Sequence, residues 1–208
     1  MRGLFVTGTD TGIGKTIVSA VLMNSLRERE DVCYWKPVQT GIEEDNDTET
    51  VRELAGCTDD EIHDHGIRLK RPLSPHISAH LSGVEISVEQ ITKTTTEYFE
   101  KRFWIVEGAG GVHVPLNDDE LMIDLIQTLG LPVVVVSRSG LGTINHTLLT
   151  LEALRNRSTD IAGVVMNGEP NLENKNAIEN YGSVKVLAQI PVFGKLSSKS
   201  IRDVKIVI

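Results

Sequence analysis

Leu4-Phe5-Val6-Thr7-Gly8-Thr9-Asp10-Thr11-Gly12-Ile13-Gly14-Lys15-Thr16-Ile17-Val18 joins a short apolar run to a glycine-rich loop and then to the start of a helical pattern. The run reads as a strand, and Ile17, Val18, Val21, Leu22 and Leu26 recur at the spacing of one helix face. Strand, loop and helix in that order build an anion cradle. Gly12 and Gly14 let the backbone approach phosphate oxygens, successive N–H groups point at them, and the positive end of the helix adds to the attraction. Lys15 supplies a point charge to the β and γ phosphates, and Thr16 offers a hydroxyl to Mg²⁺. A strict G-x-x-x-x-G-K-T would put glycine at Thr9 rather than Gly8, so this is a variant phosphate loop. The bland reading, a glycine-rich turn with a solvated lysine, does not account for the strand before it and the helix after it.

Further apolar runs follow at Val32 to Trp35, Phe103 to Val106, Val133 to Val136 and Ile161 to Met166, with helical patterns between them. Runs apolar on both faces, alternating with helices, predict a doubly wound α/β domain: one mostly parallel sheet with right-handed crossovers and helices on both sides. Ser87 with Gln90 forms a capping-box pattern before Ile91, and Ser74-Pro75 sets an N-cap and first turn before Ile77 and Leu81. Asp47 to Leu54 and Leu121 to Leu129 are shorter helices, the second ended by Gly130 and Pro132. No repeat or low-complexity linker interrupts the alternation, so residues 1–208 read as a single domain. Glu43 to Thr50 reads as a polar loop, and Lys195 to Ile208 carries no clear pattern.

Composition narrows the partners. The 208 residues hold 21 basic and 29 acidic side chains, a formal charge of −8 that opposes a sequence-independent grip on nucleic acid or an anionic membrane. Four Phe, two Trp and three Tyr are too few for a platform that stacks single-stranded bases. The longest apolar stretch, Leu131 to Val136, is far short of the roughly 20 residues that span a bilayer. Met1-Arg2-Gly3-Leu4 enters the first strand without a signal-peptide pattern, and Cys33 and Cys57 have neither metal nor disulfide spacing. The expected location is the cytoplasm, with both cysteines as packing residues.

Mg²⁺ takes a few oxygen ligands besides phosphate, which directs attention to carboxylates at other strand ends. Glu107, in Phe103-Trp104-Ile105-Val106-Glu107-Gly108-Ala109-Gly110-Gly111, stands at the end of a buried strand where open α/β sheets gather ligands, and its glycines let a bulky group pass. Its alternative role is a helix-capping acid. Asp47 is a second metal candidate, with Asp45 as its rival. Lys36, between Trp35 and Pro37, lies at the same sheet edge, either stabilising a transferring phosphoryl group or as a plain surface lysine. His76 and His80 have the spacing of a metal pair but no third ligand, and His63 and His65 sit among acids and read as exposed.

Taken together these stretches resemble the dethiobiotin synthetase family. The landmarks run in order over most of the chain: Val6-Thr7-Gly8-Thr9-Asp10-Thr11 through Gly14-Lys15-Thr16, Lys36-Pro37-Val38 with Thr40-Gly41, Pro72 with Ser74-Pro75-His76, Val106 to Gly111, Leu141-Gly142-Thr143-Ile144-Asn145-His146, Asn167, and Ile190-Pro191. The resemblance implies a phosphate-loop NTPase-like fold, a homodimer, and Mg²⁺-ATP-dependent conversion of 7,8-diaminononanoate and CO₂ to dethiobiotin, ADP and phosphate. It implies that Gly12, Ile13, Gly14, Lys15, Thr16 and Ile17 hold the phosphates and that Thr16, Asp47 and Glu107 ligate Mg²⁺. Lys36, with Lys15, becomes catalytic. Thr40 meets the diamine, Glu107, Gly108, Ala109 and Gly110 line the gap, Asn167 reads adenine, and Pro191, Val192 and Phe193 lie beside the base. Gly142, Thr143, Ile144 and Asn145 of a partner subunit would hold the substrate carboxylate at a helix start. Lys36→Ala is then expected to impair phosphoryl transfer more than folding.

Two other classes share the loop. A nucleotide-driven partitioning or assembly switch would carry a lysine early in the loop, where this chain has Asp10. An amidoligase with a glutaminase partner would require a nucleophilic cysteine, and neither Cys33 nor Cys57 stands in such a context.

Overall fold

The computed structural model describes residues 1–93 and 101–208. Its centre is a seven-stranded, wholly parallel sheet in the order β4-β2-β6-β1-β7-β8-β9. The strands are β1 (Arg2–Gly8), β2 (Val32–Trp35), β4 (Ile62–His63), β6 (Phe103–Gly111), β7 (Val133–Arg138), β8 (Ile161–Asn167) and β9 (Val186–Ile190). A separate parallel pair, β3 (Val38–Thr40) with β5 (Ile67–Leu69), leaves the end of β2 and borders the ligand edge. β9 and the β3–β5 pair carried no strand pattern in the sequence.

Alternation along each strand divides the core. Leu4, Val6, Tyr34, Ile105 and Val134 face α1 (Lys15–Leu26), α2 (Asp47–Ala55) and α8 (Ser198–Arg202). Phe5, Trp35, Trp104, Val106 and Val135 face α3 (Pro75–Ser82), α4 (Val88–Lys93), α5 (Met122–Leu129), α6 (Thr143–Asn156) and α7 (Leu172–Gly182). Side chains of period two buried on both faces are what a parallel sheet between two helix layers requires. The unassigned C-terminal stretch closes the first layer, burying Ile201 and Ile206.

Local signals act as expected: the Ser87 hydroxyl accepts from Gln90 N–H at 3.1 Å, and Pro75 opens α3. Two expectations need correction. Of the two overlapping readings at Asp47, the helix from Asp47 to Leu54 holds and the polar loop ends before it: Asp47 is the first residue of α2, behind an Asn46 N-cap. His63 is not exposed but half-buried, its ring 5.8 Å from that of Trp35 and 5.4 Å from that of Trp104, and burial lowers its pKa to about 4. Strand β4 brings it there, because β4 pairs with the β2 residues that carry Trp35. Among the described residues no helix is long and apolar enough to cross a membrane.

Candidate active site

The loop after β1 turns into α1 at Gly14, which has φ 93° and caps the helix without any side-chain hydrogen bond. The first-turn N–H groups therefore have no side-chain cap and point outward. An added Cβ at Gly14 would collide with Nδ2 of Asn167, whose amide donates to the Ile13 carbonyl at 2.9 Å. Gly14→Ala is expected to cost at least about 1–2 kcal/mol from the left-handed backbone alone and to displace Asn167. Thermal melting and titration with a non-hydrolysable ATP analogue would show lower stability and weaker binding; unchanged values would refute this packing.

Around this turn lies a cleft of about 610 Å³. Gly12, Gly14, Lys15, Thr16, Ile17, Lys36, Thr40, Asp45, Asp47, Glu107, Ala109 and Gly110 line it, so most of the residues singled out from the sequence meet there. At its floor is a buried charge cluster. Lys36, 3% exposed, donates to Glu107 Oε1 at 2.8 Å and to the Gly108 carbonyl at 3.1 Å and forms an ion pair with Asp47 Oδ2 at 2.6 Å. The Thr16 hydroxyl lies 2.6 Å from Asp47 Oδ1 and 3.2 Å from Glu107 Oε1. The other carboxylate oxygen of Glu107 accepts from Ser19 at 2.8 Å and Tyr34 at 3.0 Å.

Burial opposes charge on Lys36, but Glu107 and Asp47 outweigh it and hold the ammonium above its ordinary pKa. Burial likewise works against the Asp47 carboxylate, and Lys36, with help from Thr16, holds its pKa below the usual range. The Tyr34 hydroxyl is pushed well above its ordinary value by burial and then by the charges of Glu107 and Asp47, so it is a neutral donor. Lys15 differs. It is 6% exposed, its ammonium donates to the Asp10 carbonyl at 3.1 Å, and burial followed by repulsion from Lys36 lowers its pKa to about 8. A half-satisfied ammonium in an anion cradle is poised for phosphate.

Geometry separates Asp47 from its rival. Asp45 lines the cleft and is held through its backbone, its carbonyl accepting from Gln39 and its N–H donating to the Gly41 carbonyl, whereas the Asp47 side chain meets Thr16 and Lys36. Gly108 is outside the cleft lining, and a Cβ there would press on the Phe5 ring, so packing by itself calls for this glycine, while its carbonyl accepts from Lys36 at 3.1 Å. The Ile13 side chain is core, 3% exposed, and its place in the site is its backbone. Pro191, Val192 and Phe193 follow β9 outside the cleft lining, with Phe193 packed partly on the α1 layer. Gly142, Thr143, Ile144 and Asn145 open α6, where Gly142 at φ 88° makes another helix start without a side-chain cap. They do not line the cleft of this single chain.

Sequence reading did not single out Ser19 and Tyr34. Signals existed: Ser19 is one helical turn beyond Thr16, and Tyr34 is two residues before Lys36. The cysteines are packing residues, as expected; burial pushes the Cys33 thiol up to about 12 and the Cys57 thiol up to about 11, which leaves neither a ready nucleophile.

The chain matches, over residues 2–200, the family model described as an AAA domain. An ATP-dependent dethiobiotin synthetase BioD of Paramagnetospirillum magneticum is 51% identical over 190 residues, 91% of this chain and 88% of that one. The chain belongs to the dethiobiotin synthetase family. A second member, BioD of Brucella ovis, is 44% identical over 95% of this chain and 90% of its own. The biotin biosynthesis bifunctional protein BioCD of Bordetella avium is 47% identical over 96% of this chain but only 42% of its own length. Solved structures with the same architecture include a ParA family ATPase of Chlorobium tepidum, with a TM-score of 0.60 at 12% identity over 97% of this chain and 96% of that one. MinD in the MinC:MinD complex of Aquifex aeolicus gives 0.59 at 11% identity over 97% and 86%. At such identities the likeness is one of fold: the family has a phosphate-loop NTPase-like sheet. Where a switch of that kind would carry the early loop lysine, this chain has Asp10, paired to Arg138 at 2.9 Å.

Proposed function

We propose that the cleft binds MgATP, 7,8-diaminononanoate and CO₂ and forms dethiobiotin, ADP and phosphate. The observation that carries this reading is the buried Lys36–Asp47–Glu107–Thr16 cluster at the mouth of the phosphate loop, in a chain 51% identical to a protein named for that activity. The residues fit Mg²⁺: Thr16, Asp47 and Glu107 offer a hydroxyl within hydrogen-bond distance of each of two carboxylates, all hard oxygen donors with no His or Cys among them. When bound there, Mg²⁺ neutralises charge on the triphosphate.

One amine of the diamine adds CO₂ and loses a proton to become a carbamate. A carbamate oxygen attacks the γ phosphorus and ADP leaves; the second amine then attacks the carbonyl carbon of the mixed anhydride, expelling phosphate and closing the ureido ring. Lys36, already hydrogen-bonded to Glu107 and Gly108, paired with Asp47 and held as an ammonium, is a charge stabiliser rather than a base. Lys15 draws in the β and γ phosphates, and Thr40 on the facing wall orients the diamine. Asn167, whose Nδ2 is engaged by the Ile13 carbonyl, leaves its Oδ1 for a base amino group. The open α6 start at Gly142 to Asn145 receives the substrate carboxylate of a second protomer, which makes the working enzyme a homodimer. The whole chain acts as one cytoplasmic ligase domain.

Phosphate release from MgATP, measured with and without the diamine and bicarbonate and followed by mass spectrometry, tests this. Diamine-dependent release with one dethiobiotin per phosphate is the expected result. Release indifferent to the diamine, with no ureido product, refutes it.

A further inference from the structure

The carboxylate of Glu107 is fully buried, and its two oxygens have different company. Oε1 meets Lys36 and Thr16, the groups that face the cleft; Oε2, among the described residues, meets the hydroxyls of Tyr34 and Ser19, which lie behind it. The terminal torsion of a glutamate is soft, so hydrogen bonds rather than rotamer preference decide which oxygen faces the nucleotide. We propose that Tyr34 is a positioning residue: its hydroxyl, with that of Ser19, pins Oε2 from behind and keeps Oε1 aimed into the cleft.

Strand register explains how a residue 73 positions away reaches this point. Tyr34 on β2 is paired in the parallel ladder with Ile105 on β6, and Glu107 is two residues further along the same face. The phenol is long enough to span that diagonal. Its ring sits in the apolar layer under α1 with Leu4, Val21 and Ile62, where phenylalanine would fill the same volume. Packing therefore accounts for the ring, and the hydroxyl is what is left to explain. Lys36 follows β2 directly, so one strand places both the ammonium on Oε1 and the phenol on Oε2.

This inference rests on the reading of Glu107 as a Mg²⁺ ligand, and the test keeps the two apart. Mn²⁺ binding to the protein with a non-hydrolysable ATP analogue is measured by electron paramagnetic resonance for wild type, Tyr34→Phe, Ser19→Ala and Glu107→Gln. Binding of the analogue in EDTA and thermal melting are measured alongside. Tyr34→Phe is expected to weaken Mn²⁺ by about tenfold, the value of one hydrogen bond to a charged group, with metal-free nucleotide binding unchanged. In turnover, the Mg²⁺ concentration for half-maximal rate should rise while KM for the diamine stays put. A merely structural tyrosine would lower the melting temperature and leave Mn²⁺ affinity where it is, and that result overturns the proposal. Should Tyr34→Phe fail to fold, Ser19→Ala removes the other donor to Oε2 and is held to the same outcome. If Glu107→Gln also binds Mn²⁺ as wild type does, the metal reading itself falls; if Glu107→Gln loses the metal and Tyr34→Phe does not, only the positioning role falls.

Discussion

Lys36→Ala is expected to lower diamine-dependent phosphate release by about 100- to 1,000-fold, the cost of removing a preorganised donor aimed at charge that develops in a transition state. The same change should also damage the fold, unlike the expectation from placement at a strand end. Lys36 is 3% exposed between Glu107, which is fully buried, and Asp47. Taking away the cation leaves two neighbouring carboxylates without it, and breaking a buried pair from one side costs about 3–5 kcal/mol. The pH dependence carries a sign. Because Asp47 titrates lower in the folded chain, it stabilises the fold above about pH 4, and that stability is lost as pH falls through the folded value. Lys36, raised in the fold, contributes below about pH 10, and that contribution fades as pH rises through its folded value. The variant should lose both, giving a flatter and lower profile of stability from denaturant melts at a series of pH values. A folded Lys36→Ala protein with near-wild-type turnover would remove the residue from the mechanism.

Lys15→Met should move stability and binding in opposite directions. The fold lowers the Lys15 pKa from 10.5 to about 8, so carrying its ammonium at neutral pH costs the free protein about 3 kcal/mol. Methionine keeps the apolar stem and drops the charge. Without nucleotide the variant should melt higher, by about 2–4 °C for each kcal/mol recovered. With a non-hydrolysable ATP analogue the order should reverse, because the cradle has lost its point charge and affinity falls by about 100-fold or more. A lowered lysine pKa means the unfolded chain binds more protons between the two values, so wild-type stability rises with pH there and the gap to the variant closes. Thermal melts with and without the analogue at pH 7 and pH 9 would show the crossing; a variant less stable in both conditions would refute the argument.

How much of this was legible in the sequence depends on the distance over which each feature is decided. The unit Arg2–Gly8, loop and Lys15–Leu26 stood out because a strand, two glycines and a lysine act on their immediate neighbours. The capping pair Ser87 and Gln90 and the helix start at Pro75 are local in the same sense. Edge strand Val186–Ile190 was missed because its middle residues are only half-buried and carry no clean alternation. His63 was misread because its acidic neighbours in sequence say nothing of what packs on its ring from other strands, which is Trp35 and Trp104. The packing demand on Gly108 was not legible because nothing local reveals the Phe5 ring that a side chain would strike.

Propensity, capping and hydrophobic period act within a few residues, and they were enough to reveal the phosphate loop, the alternation that builds a parallel sheet, and the residue types the chemistry needs. That Asp47 rather than Asp45 joins the cluster, that Lys36 is buried, and that Tyr34 and Ser19 stand behind Glu107 emerged from the folded chain alone. The contacts of Lys36, Tyr34 and Ser19 with Glu107 close over 71 to 88 residues and that of Asp47 with Thr16 over 31, and what brings the strand-borne groups together is the register of β2 and β6, a property of paired strands that no single stretch of chain contains.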